Sequence, residues 1–270
     1  MTGGEPTRIA SRDNPLLARL RKLAQDGSGY RKAGAVWLDG EHLCGAAAAR
    51  GRQAAQAVIA ESAWQRQPLR ELAAHADRVV IVPDTLYAAL SALPSPAGIG
   101  FVLMLCDAPA IEPGVPTVVL DRVQDAGNVG SVLRSAAAFG VAQVLALEGT
   151  AGLWSQKVLR AGMGAHFGLA LIETLDAGAL DALTVPLVAT GSHAALALPA
   201  APLPAVCAWV FGHEGQGVDA ALLARCAFTV RIPQPGGEES LNVAAAAAVC
   251  LYEGMRRHRM AQGGGAAAAS

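Results

Sequence analysis

Along this chain, short apolar runs alternate with segments in which apolar residues recur every three or four positions. Runs of four to eight aliphatic and β-branched residues read as strands, and recurrence at i, i+3 and i+4 reads as a helix face. Near the start, Leu16, Leu17, Leu20 and Leu23 share one side of a helix, with Asp13 or Asn14 as its cap and Pro15 in its first turn. The pattern then predicts strands at 36–39, 57–60, 79–82 and 99–106, with helices at 41–50, 69–75 and 83–90 between them. Such alternation predicts a small α/β domain over residues 1–106. The stretch 107–116 carries Pro109, Pro113, Gly114 and Pro116 and reads as a linker.

A second alternating region spans 117–258. Strands are expected at 117–123, 141–147, 166–172 and 185–190, and helical segments at 154–163 and 176–183. After the loop 124–127, Asn128 stands where a helix cap belongs. That helix would bury Val129, Val132, Leu133 and Ala136, turn Ser131 and Arg134 the other way, and close at Gly140. Strand-like 207–211 breaks into Gly212-His213-Glu214-Gly215-Gln216-Gly217. An amphipathic piece, 218–226, and a strand, 228–232, come next. A second loop, 233–240, leads into an alanine-rich helix near Leu241-Asn242, for which Ser240 or Asn242 is the natural cap. The order predicts an α/β domain with a mostly parallel sheet and helices on both faces. The low-complexity residues 259–270 read as a disordered tail.

Composition narrows the picture. At 270 residues the chain fits one large or two modest domains, and 53% hydrophobic residues supply a sizeable core. The net charge is −1, so any contact with nucleic acid has to be local. The first 32 residues hold such a local excess, including Arg19, Arg21, Lys22, Arg31 and Lys32. These charges fit an RNA-backbone contact or an ordinary solvated helix face. The five cysteines, Cys44, Cys106, Cys207, Cys226 and Cys250, lack C-x-x-C spacing and read as free thiols of a reducing compartment. The histidines share no metal-ligand spacing, so no metal is expected. Residues 182–211 contain no Asp, Glu, Lys or Arg, but four prolines interrupt them, which favours strand, loop and strand over a membrane helix. The N-terminus has no apolar signal segment, and a cytoplasmic location is expected.

Two glycine-bearing loops, each after a strand and before a helix, stand where α/β proteins place ligands. They also fit two ordinary surface turns. The glycines at 212, 215 and 217 run G-x-x-G-x-G, the reverse of the dinucleotide fingerprint, and no P-loop pattern occurs. This weighs against an oxidoreductase on a Rossmann fold.

Three stretches carry a resemblance. Asn128-Val129-Gly130-Ser131-Val132-Leu133-Arg134, then Phe211 to Gly217, then Ile232-Pro233 with Ser240-Leu241-Asn242-Val243, resemble in order and spacing the motifs of the SpoU/TrmH RNA 2'-O-methyltransferases of the SPOUT superfamily. Ala244 departs from the serine common there. The resemblance implies a trefoil-knotted C-terminal domain and an L30e-like N-terminal domain that binds RNA. It implies an S-adenosylmethionine (SAM)-dependent enzyme acting on a ribose 2'-OH of rRNA or tRNA, rRNA favoured, and a homodimer with no metal and no membrane. A non-catalytic RNA-binding protein on the same fold is the alternative. SAM would be held around Thr190, Gly191, Gly212, Ile232 and Leu241. Arg134 is expected to clamp a phosphate, since arginine is a poor base. Asn128 would orient the loop or ribose, Glu214 would position Arg134 or RNA, and Ser240 and Asn242 would shape the site. Capping alone accounts for Ser240 and Asn242 equally well, and a solvated turn carboxylate is the lesser alternative for Glu214.

Overall fold

The computed structural model describes residues 5–91, 93, 95–105, 108–236 and 240–266. Cys106 and residues 237–239, within the stretch 233–240 read as a loop from the sequence, lie outside them. Two compact units divide the chain. One comprises residues 1–107 with Trp154–Phe167, the other Ala108–Leu153 with the residues from Gly168 onward.

The first unit runs β1 (Thr7–Arg8), α1 (Pro15–Gln25), α2 (Gly29–Ala33), β2 (Ala35–Asp39), α3 (Glu41–Ala49), β3 (Gln56–Ala60), α4 (Glu61–Trp64), α5 (Gln67–Ala73), β4 (Val79–Val82), α6 (Asp84–Ala88) and β5 (Ile99–Met104). Asn14 caps α1: its side chain accepts the N–H of Leu16 at 2.9 Å. The sheet order is β1-β4-β3-β5-β2. β5 is antiparallel to both its neighbours, whereas β3 and β4 are parallel. Leu17, Leu20 and Leu23 are buried in the same core as Trp37, Tyr87 and Phe101. The buried carboxylate of Asp39 accepts the Tyr87 and Ser91 hydroxyls at 3.2 and 2.6 Å.

The second unit contains β6 (Thr117–Asp121), α7 (Ala126–Ala138) and β7 (Gln143–Leu147). After α8 (Gln156–Gly162) come β8 (Ala170–Leu175), β9 (Leu187–Thr190), β10 (Leu196–Ala197), β11 (Ala208–Gly212), α9 (Ala220–Leu223), β12 (Phe228–Arg231) and α10 (Val243–Ala266). Its sheet has the order β10-β12-β9-β11-β6-β7-β8 and every pairing is parallel. Residues alternate between two covered faces, so Val119, Leu145, Ile172, Ala189 and Val210 share one core. Among the described residues no helix is long and apolar enough to cross a membrane; the uncharged stretch 182–211 holds β9, β10 and β11.

Several local expectations need correction. Residues 154–167 lie within the region read as the second domain, yet they cluster with the first unit: Gln156 Nε2 donates to Trp37 O at 2.8 Å, and Leu159 and Phe167 join that core. The strand expected from His166 starts at Ala170, because buried His166 and Phe167 lie in a 3-10 turn, their rings tilted beside that of Trp154. The strand begun at Thr117 ends at Asp121, because Arg122 takes a left-handed φ of 57°. Helix α7 begins before Asn128: Asp125 caps it, its Oδ1 accepting Asn128 N at 2.7 Å. Helix α10 runs on to Ala266, into the stretch read as a disordered tail, whose last four residues lie outside the described ones. The described cysteines are free thiols. Cys44, Cys207 and Cys250 are buried, and burial pushes Cys207 and Cys250 up to about 12.

Candidate functional site

The C-terminal ends of β9, β11 and β12 open on a cavity of about 790 Å³. In a parallel sheet this is the edge where loops of different strands converge on a ligand. Thr190 ends β9 and Gly191 follows it, Gly212 ends β11, Ile232 follows β12, and Leu241 precedes α10; all five line the cavity, as do Glu214, Ser240 and Asn242. Strand pairing holds the walls together. Gly191 N donates to Val230 O at 3.0 Å and Thr190 Oγ1 to Val210 O at 3.5 Å.

The loop after β11 is tightly closed. His213 N donates to Gly217 O at 3.0 Å, and Gly217 N returns a bond to His213 O at 2.8 Å. A Cβ on Gly212 would sit 2.2 Å from Val218 N and 2.4 Å from Gly217 O, so only glycine permits this closure. Gly217 has a φ of 70°, the left-handed region that glycine enters without a steric penalty.

Glu214 links this loop to the first motif. Its carboxylate accepts Asn128 Nδ2 at 3.0 Å, Asp125 N at 3.1 Å and Gln124 N at 3.3 Å. Burial pushes its pKa up, but the hydrogen bonds from Asn128 and from backbone N–H groups outweigh this and hold it below the ordinary carboxylate range. Asn128 Oδ1 in turn accepts Asn242 Nδ2 at 2.9 Å. Asn242 Oδ1 caps α10 by accepting Ala244 N at 2.9 Å and Ala245 N at 3.3 Å. The cap is therefore Asn242 rather than Ser240, and the Ala244 amide is satisfied although no serine stands there. Three motif residues from three segments form one hydrogen-bonded chain.

Arg134 stands apart from this chain. It is exposed on α7, opposite buried Val129, Val132, Leu133 and Ala136, and is not part of the cavity lining. It has no hydrogen-bond or ion-pair partner among the described residues. Glu214, expected to position Arg134 or RNA, makes no hydrogen bond to Arg134 among the described residues; its oxygens accept from Asn128 and the 124–125 amides. The basic residues of the first unit lie on the adjacent helices α1 and α2. Arg19, Lys22, Arg31 and Lys32 are exposed, while Arg21 is half-buried and donates to Arg12 O.

One cluster escaped the sequence reading. Asp121, buried at the end of β6, accepts Arg122 Nε at 2.9 Å, Arg122 Nη2 at 3.1 Å and Asp219 N at 2.7 Å. Arg122 Nη1 reaches Gln216 Oε1 at 3.2 Å, so the loop after β11 is tied to β6 at its tip as well. The available signal was a charged pair, Asp121-Arg122, interrupting an otherwise apolar run. Gln234 is a second omission: its Oε1 is buried at the cavity wall with no hydrogen-bond partner among the described residues.

Comparison with known proteins gives a consistent set of likenesses. A family model described as the SpoU rRNA Methylase family matches residues 116–252. An uncharacterized tRNA/rRNA methyltransferase of Synechocystis is 31% identical over 265 residues, covering 92% of this chain and 93% of its own length. The 23S rRNA (guanosine(2553)-2'-O)-methyltransferase RlmP of Bacillus subtilis is 36% identical over 138 residues, covering 50% of this chain and 56% of the relative. Among solved structures, an RNA 2'-O ribose methyltransferase superimposes with a TM-score of 0.77 at 30% identity, covering 94% of this chain and 100% of the other. An AdoMet-bound rRNA methyltransferase from Sinorhizobium meliloti has a TM-score of 0.81 at 23% identity, covering 94% and 99%, a likeness of fold.

Proposed function

This chain belongs to the SpoU rRNA methylase family, and from that premise we propose that it transfers a methyl group from SAM to a ribose 2'-OH of structured RNA, ribosomal RNA in preference to transfer RNA. The observation that carries the reading is the hydrogen-bonded chain Glu214–Asn128–Asn242 beside a cavity that all five expected cofactor residues line. The cavity suits a nucleoside-bearing ligand. Val218, Val230, Ile232 and Leu241 offer apolar surface for a flat ring, and Gln234 Oε1 offers a buried acceptor for an amino group. When bound, SAM would supply an electrophilic methyl group on sulfur.

The residues of this chain have the remaining tasks. The loops at the three strand ends would hold the donor, through Thr190, Gly191, Gly212, Ile232 and Leu241, and so restrict its orientation for transfer. Asn128 and Glu214 keep the first motif and the loop after β11 at fixed spacing. Arg134, exposed and without a partner among the described residues, clamps an RNA phosphate through its planar fork and orients the ribose. The RNA reaches further, onto Arg19, Arg21, Lys22, Arg31 and Lys32, with residues 1–106 as the substrate-binding portion and 107–116 as its tether. We include in this reading the knotted threading of the C-terminal segment and a cytoplasmic location. It also includes a homodimer through α10, where Val249, Tyr252 and Met260 remain exposed on the same helix.

Calorimetry with SAM in the presence of a chelator tests the cofactor assignment. Saturable binding is expected, and the absence of heat or competition at millimolar SAM would overturn it.

A further inference from the structure

The loop after β11 contains a histidine whose ring is already in use. His213 Nδ1 lies 3.0 Å from Gly215 N and 3.2 Å from Gln216 N, and both backbone groups donate to it. A backbone N–H can only donate, so Nδ1 has to carry a lone pair and the proton of the neutral ring has to sit on Nε2. The Nδ1 of histidine stands at the same position along the side chain as the Oδ1 of asparagine. Accepting the amides two and three residues ahead is what an asparagine does in an Asx turn.

We propose that His213 is the positioning residue that shapes the cofactor loop: a neutral imidazole that gathers the Gly215 and Gln216 amides on Nδ1 and keeps Nε2–H free to donate to the molecule in the cavity. The cavity's occupant is SAM on the reading given above; the loop geometry itself does not depend on it. His213 lines that cavity, and no hydrogen bond to its Nε2 is made among the described residues. The backbone exchange between His213 and Gly217 closes the loop at its base, and Arg122 holds its tip through Gln216. The imidazole fills the interval between these two fixings.

The neighbouring charged groups are occupied elsewhere. Glu214 is turned to Asn128 and the 124–125 amides, Asp121 and Arg122 pair with each other, and the Asp219 carboxylate caps α9 through Ala221 N at 2.9 Å. His193 lines the cavity too, and α10 contributes the uncharged Asn242. None of these supplies an alternative acceptor for the two loop amides in the described hydrogen bonds.

Two measurements test this. In the ligand-free, full-length protein, ring 15N spectra should show His213 with an unprotonated Nδ1 and a protonated Nε2. An Nδ1–H tautomer would overturn the proposal. In calorimetry, His213→Ala should weaken SAM binding about tenfold through loss of two loop hydrogen bonds, and His213→Asn should recover most of that loss. An asparagine variant as weak as the alanine variant, or an alanine variant that binds like the parent, would also overturn it. If the parent itself did not bind SAM, the cofactor assignment would fail, while the ring spectra would still decide the role of His213.

Discussion

Replacing Glu214 tests whether the hydrogen-bonded chain holds the site together. Its carboxylate accepts three hydrogen bonds from the segment 124–128. Hydrogen bonds to a charged acceptor contribute about 1.5–3 kcal/mol each when buried, and less where water competes. Glu214 is exposed on its outer side, so about 1 kcal/mol apiece is the appropriate scale. Glu214→Ala should therefore cost about 2–3 kcal/mol of unfolding free energy at neutral pH. Glu214→Gln keeps an acceptor for Asn128 and Asp125 but sets an amide N–H against Gln124 N–H, and should cost about 1 kcal/mol.

The pH dependence follows from the depressed pKa of Glu214. A carboxylate held below its unfolded value contributes stability that is fully present above the unfolded pKa. That contribution is lost as pH falls through the folded pKa. The gap between parent and Glu214→Gln should hold from neutral pH down to the ordinary carboxylate range and close below it. Urea denaturation across pH, with SAM calorimetry on the same samples, reads both effects. An alanine variant within about 0.5 kcal/mol of the parent, with unchanged SAM affinity, would refute the role assigned to this carboxylate.

The remaining predictions concern other parts of the second unit. Arg134→Ala should lower single-turnover methyl transfer at least about a hundredfold, about 3 kcal/mol of transition-state stabilisation, and move stability by under about 0.5 kcal/mol, since Arg134 is exposed and bonds to none of the described residues; near-normal rates would remove it from the mechanism. Arg134→Lys should rescue weakly, because a point charge does not replace the guanidinium fork. Glu253 is held at about 2, chiefly by its hydrogen bond to Arg256, with burial opposing and Arg257 assisting. Arg257 also donates to Leu198 O and Pro199 O at 2.9 Å. Glu253→Gln should destabilise the protein above the unfolded carboxylate pKa, and the difference should vanish as pH falls toward 2, which acid titration of thermal stability would register. Light scattering should give a dimer at micromolar concentration, and a fully active monomer would refute the role given to α10.

The strands were readable from the chain because parallel strands buried on both faces are near-continuous apolar runs, as 117–120, 143–147 and 208–211 are. The cavity walls were readable because glycine loops follow those runs. The partnerships within the site were not readable. Asn128 and Glu214 are 86 residues apart, and Asn242 and Asn128 are 114 apart. Local pattern made Asn128 a cap, since asparagine suits caps. In the fold Asp125 takes that place, which frees the Asn128 side chain to join two distant loops. Residues 154–167 show the same limit. Their helical periodicity was legible, but which core would receive Leu159 and Phe167 depended on Trp37, more than a hundred residues earlier in sequence. The left-handed turn at Arg122 was hidden because nothing local favours it; its ion pair with buried Asp121 accompanies it.

The central claim is methyl transfer from SAM to a ribose oxygen, and chemical identification of the product tests it most directly. The protein would be incubated with SAM carrying a labelled methyl group and with rRNA and tRNA from cells lacking it, and the RNA digested to nucleosides for mass spectrometry. The account predicts label in a 2'-O-methylnucleoside, with rRNA the better substrate and the signal lost in Arg134→Ala. Label on a base would contradict the assigned reaction, and an RNA that is bound but unlabelled would mark a non-catalytic RNA-binding protein on the same fold.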